Sequence, residues 1–189
     1  MLFHLTLTAN SVNFSPLWGK VGNLGWFSFN KIRPSEGGFR MSSFKGRYSY
    51  SVDNKGRIAI PAKVRKNVSP GANDTFIVTR GYEQCLFLYP QDEWAKVEDS
   101  IRGLSPSNPQ HRFFVRTLLQ WAVDCQLDSQ ARLSIPQDLL KFAGIEDEVL
   151  ILGVLERIEI WNPKIYEAYM NNQPATYETV AEVVLKPTP

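Results

Sequence analysis

One short motif occurs twice in this chain, and its repetition restricts the folds that the chain can adopt. Residues 53–61 read Asp-Asn-Lys-Gly-Arg-Ile-Ala-Ile-Pro, and residues 128–136, 75 positions later, read Asp-Ser-Gln-Ala-Arg-Leu-Ser-Ile-Pro. A fainter echo follows, since residues 86–90 and 158–162 are both apolar, aromatic-rich runs. A repeat of this length indicates a duplicated module, so two copies of one small unit are expected to build the core.

The first motif and its flanks have the pattern of a β-hairpin. Tyr48, Tyr50 and Val52 alternate with serines before the turn, and Ile58 and Ile60 keep that period after it. This is the period of a half-buried strand. The polar residues between the two arms suit a turn, and glycine at position 56 tolerates a positive φ. We therefore predict two strands that pair with each other around a polar tip.

Charge is distributed unevenly between the two copies. The net charge of +2 is too small to indicate a nucleic-acid partner by itself. Residues 41–71, however, carry seven basic side chains against one acid, Asp53: these are Lys45, Arg47, Lys55, Arg57, Lys63, Arg65 and Lys66. Residues 125–146 carry two basic residues against three acids. The two copies are therefore expected to differ in function, with the basic copy meeting the anionic partner.

The remaining pattern predicts alternating strands and short helices. Strands are expected at 75–79, 85–89, 149–153 and 157–161, and short helices after each proline-terminated motif. Longer helices should start at Pro90, Pro109 and Pro163, with the second running to about Val123 and burying Cys125. Both cysteines are interpreted as small buried hydrophobic residues in a reducing cytosol. Past Met170 the pattern is weak, and the last four residues are expected to be a frayed tail.

Residues 1–40 differ from the rest of the chain. They are rich in aromatic residues, contain a single acid, Glu36, and show no sustained helix or strand period. We expect them to be an upstream reading-frame artefact or a loose arm, with the native protein starting at Met41. The organisation predicted is then an uncertain extension (1–40), a first copy with helices (41–122) and a second, mainly structural copy with a final helix and tail (123–189).

The residues of known catalytic sites are missing from the pattern. The two histidines, His4 and His111, lie near no matched nucleophile or carboxylate, and no glycine-rich phosphate loop or cluster of metal ligands occurs. The longest apolar run, 149–155, is far shorter than the ~20 residues of a membrane span. We therefore predict a protein that is not an enzyme and has no metal, cofactor, small-molecule ligand or membrane partner.

The basic turn has the chemistry of a DNA-reading element. A narrow hairpin tip enters the major groove, where arginine bonds both guanine O6 and N7, which makes Arg57 and Lys55 the candidate readers. Lys45, Arg47, Lys63 and Arg65 are candidates for phosphate contacts around that tip. Arg57 alternatively forms a salt bridge with Asp53 that only closes the turn, and both roles are compatible. For Asp128 and Arg132 in the second copy, the structural role is favoured.

A second pair of arginines leaves two interpretations open. Arg112 and Arg116 lie one helical turn apart on the helix predicted to begin at Pro109. They either contact phosphate or belong to a solvated or salt-bridged helix face, and the second interpretation is favoured.

The repeated motif, together with the run from Cys85 to Pro90, resembles the MraZ family of bacterial transcriptional regulators associated with the division and cell-wall gene cluster. The resemblance covers Met41 to about Leu185. It implies a mixed α+β, β-rich fold: a pseudo-twofold, AbrB-like swapped-hairpin β-barrel built from two tandem copies and flanked by short helices. It also implies closed homo-oligomeric rings that bind guanine-rich direct repeats of double-stranded DNA in the promoter of their own operon.

Carried over by position, the DNA-binding arginine of the family falls on Arg57, with Lys55 beside it and Asp53 as the partner carboxylate. One departure is Ala131, which stands where the first copy has Gly56. The expectation is a cytoplasmic, nucleoid-associated regulator. Two alternatives remain: a protein-interaction or antitoxin-type module whose basic hairpin meets an acidic partner, and a scaffold whose ring is the function.

Overall fold

The structure is a computed structural model, and it describes residues 42–185. The eight strands in this range are β1 (Phe44–Ser51), β2 (Arg57–Ala59), β3 (Thr75–Arg80), β4 (Cys85–Pro90), β5 (Val123–Gln126), β6 (Arg132–Ser134), β7 (Glu148–Leu155) and β8 (Arg157–Trp161). The six α-helices are α1 (Ala62–Arg65), α2 (Gln91–Arg102), α3 (Pro109–Leu119), α4 (Gln137–Phe142), α5 (Pro163–Asn171) and α6 (Tyr177–Val184). The class is therefore mixed, with short helices around antiparallel strands.

Strands of the two sequence copies are interleaved in one antiparallel sheet. Its order is β1-β7-β8-β4-β3-β5, and β2 and β6 form a separate two-stranded ribbon. The six-stranded sheet is open, with β1 and β5 at its edges. The expected mixed class of strands and short helices is confirmed, but the strands do not outweigh the helices, and the closed barrel implied by the family resemblance is not what these strands form.

The prediction that the two arms around residue 55 pair with each other as a hairpin is wrong. Its two arms meet only at the bridge between Val52 and Ile58. β1 instead pairs along its whole length with β7, and β2 pairs with β6 of the second copy. β7 offers β1 an eight-residue ladder, whereas β2 is only three residues long, so the longer pairing satisfies more backbone groups. The turn forms as predicted, but each of its two arms pairs with a strand of the other copy.

Two apolar layers cover the faces of the six-stranded sheet. On one face, alternate strand residues such as Leu86 and Ile160 pack with Ile58 and Leu133 from the ribbon, and all four are fully buried. On the other face, Phe87 and Trp161 pack under α2 and α5. The ribbon and its two turns therefore lie on one side of the sheet and the longer helices on the other.

Several predicted elements are confirmed by the backbone. The strands β3, β4, β7 and β8 lie where expected, and α2 and α4 end at the expected residues. Helix α5 begins at a cap in which the side chain of Asn162 accepts hydrogen bonds from the amides of Lys164 and Ile165.

Other predicted elements are wrong. α3 ends at Leu119, and Cys125 lies in β5 rather than on that helix, although both cysteines are buried as expected. Helix α6 was not predicted. The expectations for residues 1–40 and for the last four residues fall outside the described range.

Two further observations bear on the predicted partners. Within residues 42–185, the His, Cys, Asp and Glu side chains form no cluster suited to a metal ion. None of the helices in that range combines the length and apolar character needed to cross a membrane.

Candidate nucleic-acid interface

The first turn is organised by the carboxylate of Asp53. Its Oδ1 accepts hydrogen bonds from the backbone amides of Lys55 (2.9 Å) and Arg57 (3.0 Å), and its Oδ2 accepts one from Arg57 Nε at 2.7 Å. The amide of Gly56 donates to the Asp53 carbonyl, which closes the backbone of the turn. An aspartate suits this position because its short side chain reaches amides two and four residues ahead.

The second turn repeats this geometry. Oδ1 of Asp128 accepts from the amides of Gln130 and Arg132, both at 2.9 Å, and Oδ2 accepts from Arg132 Nε at 2.8 Å. Each motif therefore forms the same aspartate–arginine turn, and the ion pair between its first and fifth residues is present in both copies.

The space beside the glycine of the first turn is filled by residues of the second copy. Gly56 has a φ of +71° and is buried, and a Cβ there would lie 3.0 Å from Nε2 of Gln137 and 3.2 Å from the carbonyl oxygen of Ile135. The space in front of Gly56 is therefore filled by the second copy and is not open to a ligand. Ala131 adopts nearly the same conformation, with a φ of +59°, so the turn itself does not require glycine.

The two turns are joined through the ribbon in a reciprocal manner. The amide of Ile60 donates to the Ala131 carbonyl, and the amide of Ile135 donates to the Gly56 carbonyl, both at 3.0 Å. Position 60 corresponds to 135 in the repeat and 56 to 131, so the two bonds are related by a pseudo-twofold axis. The turns are thus held as one unit rather than as two independent tips.

The arginines of the two turns differ in the number of carboxylates that they contact. Nη2 of Arg132 lies 2.7 Å from Asp128, and its Nη1 lies 3.7 Å from Oδ2 of Asp53. Arg57 contacts Asp53 through Nε at 2.7 Å, and within residues 42–185 its salt bridge is to this one carboxylate. About a quarter of each arginine side chain is exposed. Arg57 is therefore shared with fewer acidic groups of the chain than Arg132 is.

Both carboxylates are held in the ionised form. Hydrogen bonds to Asp53, first of all from the backbone amide of Arg57, lower the pKa of this carboxyl to about 2. The side-chain hydrogen bond from Arg132 is the main cause of the lowered pKa of Asp128. The ion pairs are consequently complete at neutral pH, and two aspartates balance two arginines.

The other predicted basic residues fall into two groups. Lys55 is exposed at the first turn. Lys63 and Arg65 are exposed on α1, which follows Ile60 and therefore borders the second turn rather than the first; Nε of Arg65 donates to the Ile60 carbonyl at 3.3 Å. The structure thus brings basic side chains of the first copy beside the aspartate–arginine pair of the second.

Lys45 and Arg47 lie on the opposite side of the molecule. Both are exposed on β1, where the alternating residues Tyr48 and Tyr50 point to the ribbon side. The guanidinium of Arg47 stacks 5.6 Å from the ring centroid of Tyr166 on α5. The structure therefore separates these two residues from the turns.

Two participants in this site were missed by the sequence analysis. The contact between Arg132 and Asp53 joins residues from different copies, and no local signal predicts it. Gln137, which packs against Gly56, follows Pro136 just as Ala62 follows Pro61, so the repeat itself marks both positions as the helix starts beside the turns.

Comparisons with known proteins find the same duplication in the sequence. A family model described as "MraZ protein, putative antitoxin-like" matches the chain twice, at residues 43–117 and 118–185. A protein of Natranaerobius thermophilus named "Transcriptional regulator MraZ" is 38% identical over 142 residues, which cover 75% of this chain and 96% of the relative. Proteins of the same name from Halothermothrix orenii and Carboxydothermus hydrogenoformans are each 40% identical, covering 73% and 74% of this chain and 94% of each relative.

Proposed function

The chain belongs to the MraZ family, and we propose that it is a sequence-specific DNA-binding regulator of transcription. Its curated relatives are named as transcriptional regulators and not as enzymes. The proposed target is a set of guanine-rich direct repeats in the promoter of its own operon, the division and cell-wall gene cluster. The proposal places the protein in the cytoplasm, on the nucleoid.

One observation carries the assignment of the reading residue. Asp53 holds Arg57 through Nε, and among the described residues Arg57 forms a salt bridge with this one carboxylate, whereas Arg132 contacts two. A guanidinium fixed in this way presents its remaining nitrogens with little freedom, which suits the two-point contact to guanine O6 and N7. Lys55, exposed two residues earlier, is assigned a contact beside it. Arg132, whose nitrogens meet two carboxylates, is assigned the structural role.

Phosphate contacts are proposed for the remaining basic residues, and the two pairs are expected to contribute unequally to DNA binding. Lys63 and Arg65 border the second turn and are assigned to the phosphates that flank the base contacts. Lys45 and Arg47 lie on the other face and are assigned only to DNA that passes along that side. The placement supports a larger contribution from the first pair.

Several copies acting together would supply affinity that one turn lacks. A good two-point arginine–guanine contact discriminates by about 1–3 kcal/mol. We propose a closed homo-oligomeric ring whose turns meet successive repeats, because the second and later contacts then form at high effective concentration. Cross-copy pairing of β2 with β6 supports a swapped-hairpin arrangement of the two turns within each subunit, and the open sheet does not support a closed barrel.

Direct measurement of DNA binding tests this function. The purified chain is titrated against a duplex from its own upstream region and against a shuffled duplex of equal length and composition. We expect tighter binding to the native duplex, and replacement of guanines in the repeats should remove the preference. Equal affinity for native and shuffled duplexes would refute sequence-specific regulation.

A second candidate function rests on the antitoxin-like description of the family. In that case the exposed basic turn meets an acidic protein rather than DNA, and binding to any duplex should be weak and insensitive to salt. Substitution of Arg57 and Lys55 distinguishes a DNA-binding regulator from a pure scaffold, because the function of a scaffold would not change.

A further inference from the structure

The tip of the second turn is exposed, and it is held by the same contacts as the tip of the first. Gln130 corresponds to Lys55, because the two residues lie 75 positions apart in the repeat, and both are exposed. The amide of Gln130 donates to Oδ1 of Asp128 at 2.9 Å, just as the amide of Lys55 donates to Oδ1 of Asp53 at 2.9 Å. The backbone of each tip is therefore fixed, and the two side chains start from equivalent positions.

Both tips border the same face of the ribbon. Its inner face is buried through Ile58 and Leu133, which leaves the outer face to the two turns. β2 and β6 are three residues long and antiparallel, so their first residues, Arg57 and Arg132, are offset by two positions, about 7 Å. Nη1 of Arg132 lies 3.7 Å from Oδ2 of Asp53 across this short distance. A partner that meets the first tip therefore also meets the second.

The surroundings of the second turn are more basic than those of the first. The amide of Leu127, just before the second turn, donates to the Asp74 carbonyl, and the amide of Val52, just before the first turn, donates to the Asp147 carbonyl. Helix α1 completes the flank of the second turn, and α4 completes the flank of the first. The exposed charges on the second flank are Lys63, Arg65, Lys66 and Asp74, whereas those on the first are Lys141, Asp138, Glu146 and Asp147. A polyanion on this face is consequently held most closely beside the second turn.

The residue at the second tip has the chemistry of a base-reading side chain. The amide group of glutamine carries a donor and an acceptor side by side. These two groups match the N7 acceptor and the N6 amino group of adenine in the major groove. A duplex held beside the second turn by the basic side chains of α1 therefore presents its base edges to Gln130.

We propose that Gln130 reads a second base, an adenine, close to the guanine contacted by Arg57. This inference rests on the proposed DNA reading by the first turn and extends it to the second copy, in which Asp128 and Arg132 keep their structural role. Successive bases are about 3.4 Å apart along the duplex and the ribbon between the tips is about 7 Å long, so the two bases lie within about four base pairs of each other. Each repeat is then recognised by side chains of two different chemistries.

Base preference at single positions tests the inference. The full chain is titrated against a panel of duplexes in which each base pair of the native upstream repeat is replaced in turn. Replacement of the adenine should weaken binding of the wild type by roughly tenfold. Gln130→Ala should bind every duplex substituted at that position equally, while its preference for the guanine is kept.

Two further variants sharpen the test. Gln130→Lys copies the residue of the first turn, and it should change the preferred base at that position from adenine to guanine, because lysine bonds guanine O6 and N7. Ser129→Ala is the matched control, since it changes the neighbouring exposed residue of the same tip and should keep the wild-type profile.

The contrary outcomes separate this inference from the proposed function. The base contact is overturned if Gln130→Ala has the wild-type profile, if it loses affinity equally for every duplex, or if Gln130→Lys still prefers adenine. A Ser129→Ala profile that matches that of Gln130→Ala also overturns it, because the shape of the tip is then responsible. In each of these cases a guanine preference that is lost in Arg57→Ala leaves the proposed function standing. The proposed function itself fails if the wild type prefers no base at any position.

Discussion

Nη1 of Arg132 lies 3.7 Å from Oδ2 of Asp53, although the two residues belong to different copies of the repeat. Asp53 therefore interacts with both arginines, and Arg132 with both aspartates. This shared carboxylate makes the two turns unequal: Arg132 contacts two aspartates, whereas Arg57 contacts one among the described residues.

Removing the charge of Asp53 should reduce sequence discrimination more than affinity. Asp53→Asn frees Arg57 from its Nε contact and adds a net positive charge, so affinity for a shuffled duplex should rise while the preference for the native duplex falls. Fluorescence anisotropy titrations with both duplexes measure the two quantities. Asp128→Asn is the matched control, since it makes the same change in the second turn and should keep the preference. An unchanged ratio in Asp53→Asn would count against the orienting role.

The two aspartates should stabilise the fold in a defined pH range. Their pKa values are lowered in the folded state, to about 2 for Asp53, so the stabilisation is fully present above the unfolded pKa of about 4. It is lost as the pH falls through the folded pKa. Denaturant unfolding of wild type and Asp53→Asn should therefore differ at pH 6 and converge towards pH 2. A difference that grows on acidification would contradict the ion-pair geometry.

Exchanging glycine and alanine at the two positions with positive φ, Gly56 and Ala131, should change the stability of the fold in opposite directions. Ala131→Gly relieves a left-handed strain of about 1–2 kcal/mol and costs part of that in chain entropy, which leaves a gain of about 0.5–1 kcal/mol. Gly56→Ala should lower stability by about 1–3 kcal/mol, because a Cβ there also crowds Gln137. Chemical denaturation measures both, and equal effects of the same sign would contradict the matching turn geometry.

Basic residues on α1 should contribute more to phosphate binding than basic residues on β1. Lys63→Ala and Arg65→Ala should weaken binding to every duplex and reduce the salt slope by about 0.9 for each phosphate that is no longer neutralised. Lys45→Ala and Arg47→Ala, on the opposite face, should change the slope less. Titrations over a range of salt concentrations give these slopes. A larger effect from the β1 pair would place the DNA path on the other side of the sheet.

Local signals predicted the parts of this fold that depend on local physics. The Asn162-Pro163 start of α5 and the apolar runs of β4 and β8 were confirmed because capping and strand periodicity are encoded within a few residues. The partner of β1 was not predictable in this way, since β7 lies about a hundred positions away in the chain and offers a longer ladder than β2. Helix α6 was missed because it lacks the proline that marked the starts of α2, α3 and α5.

The candidate site was predictable to a similar extent. The aspartate–arginine pairing within each turn followed from the motif. The burial of Gly56 and the contact between Arg132 and Asp53 depend on how the two copies dock, which no single stretch of sequence encodes.

The most direct test is the specificity of Arg57→Lys, which keeps the positive charge but loses the planar fork. Its affinities for the native upstream duplex and for the shuffled duplex are measured beside those of Arg132→Lys, the equivalent change in the second copy. We predict that Arg57→Lys binds both duplexes equally, at about the wild-type affinity for the shuffled one, while folded Arg132→Lys keeps the wild-type preference. A native-over-shuffled preference that persists in Arg57→Lys would contradict the assignment of this arginine as the reading residue.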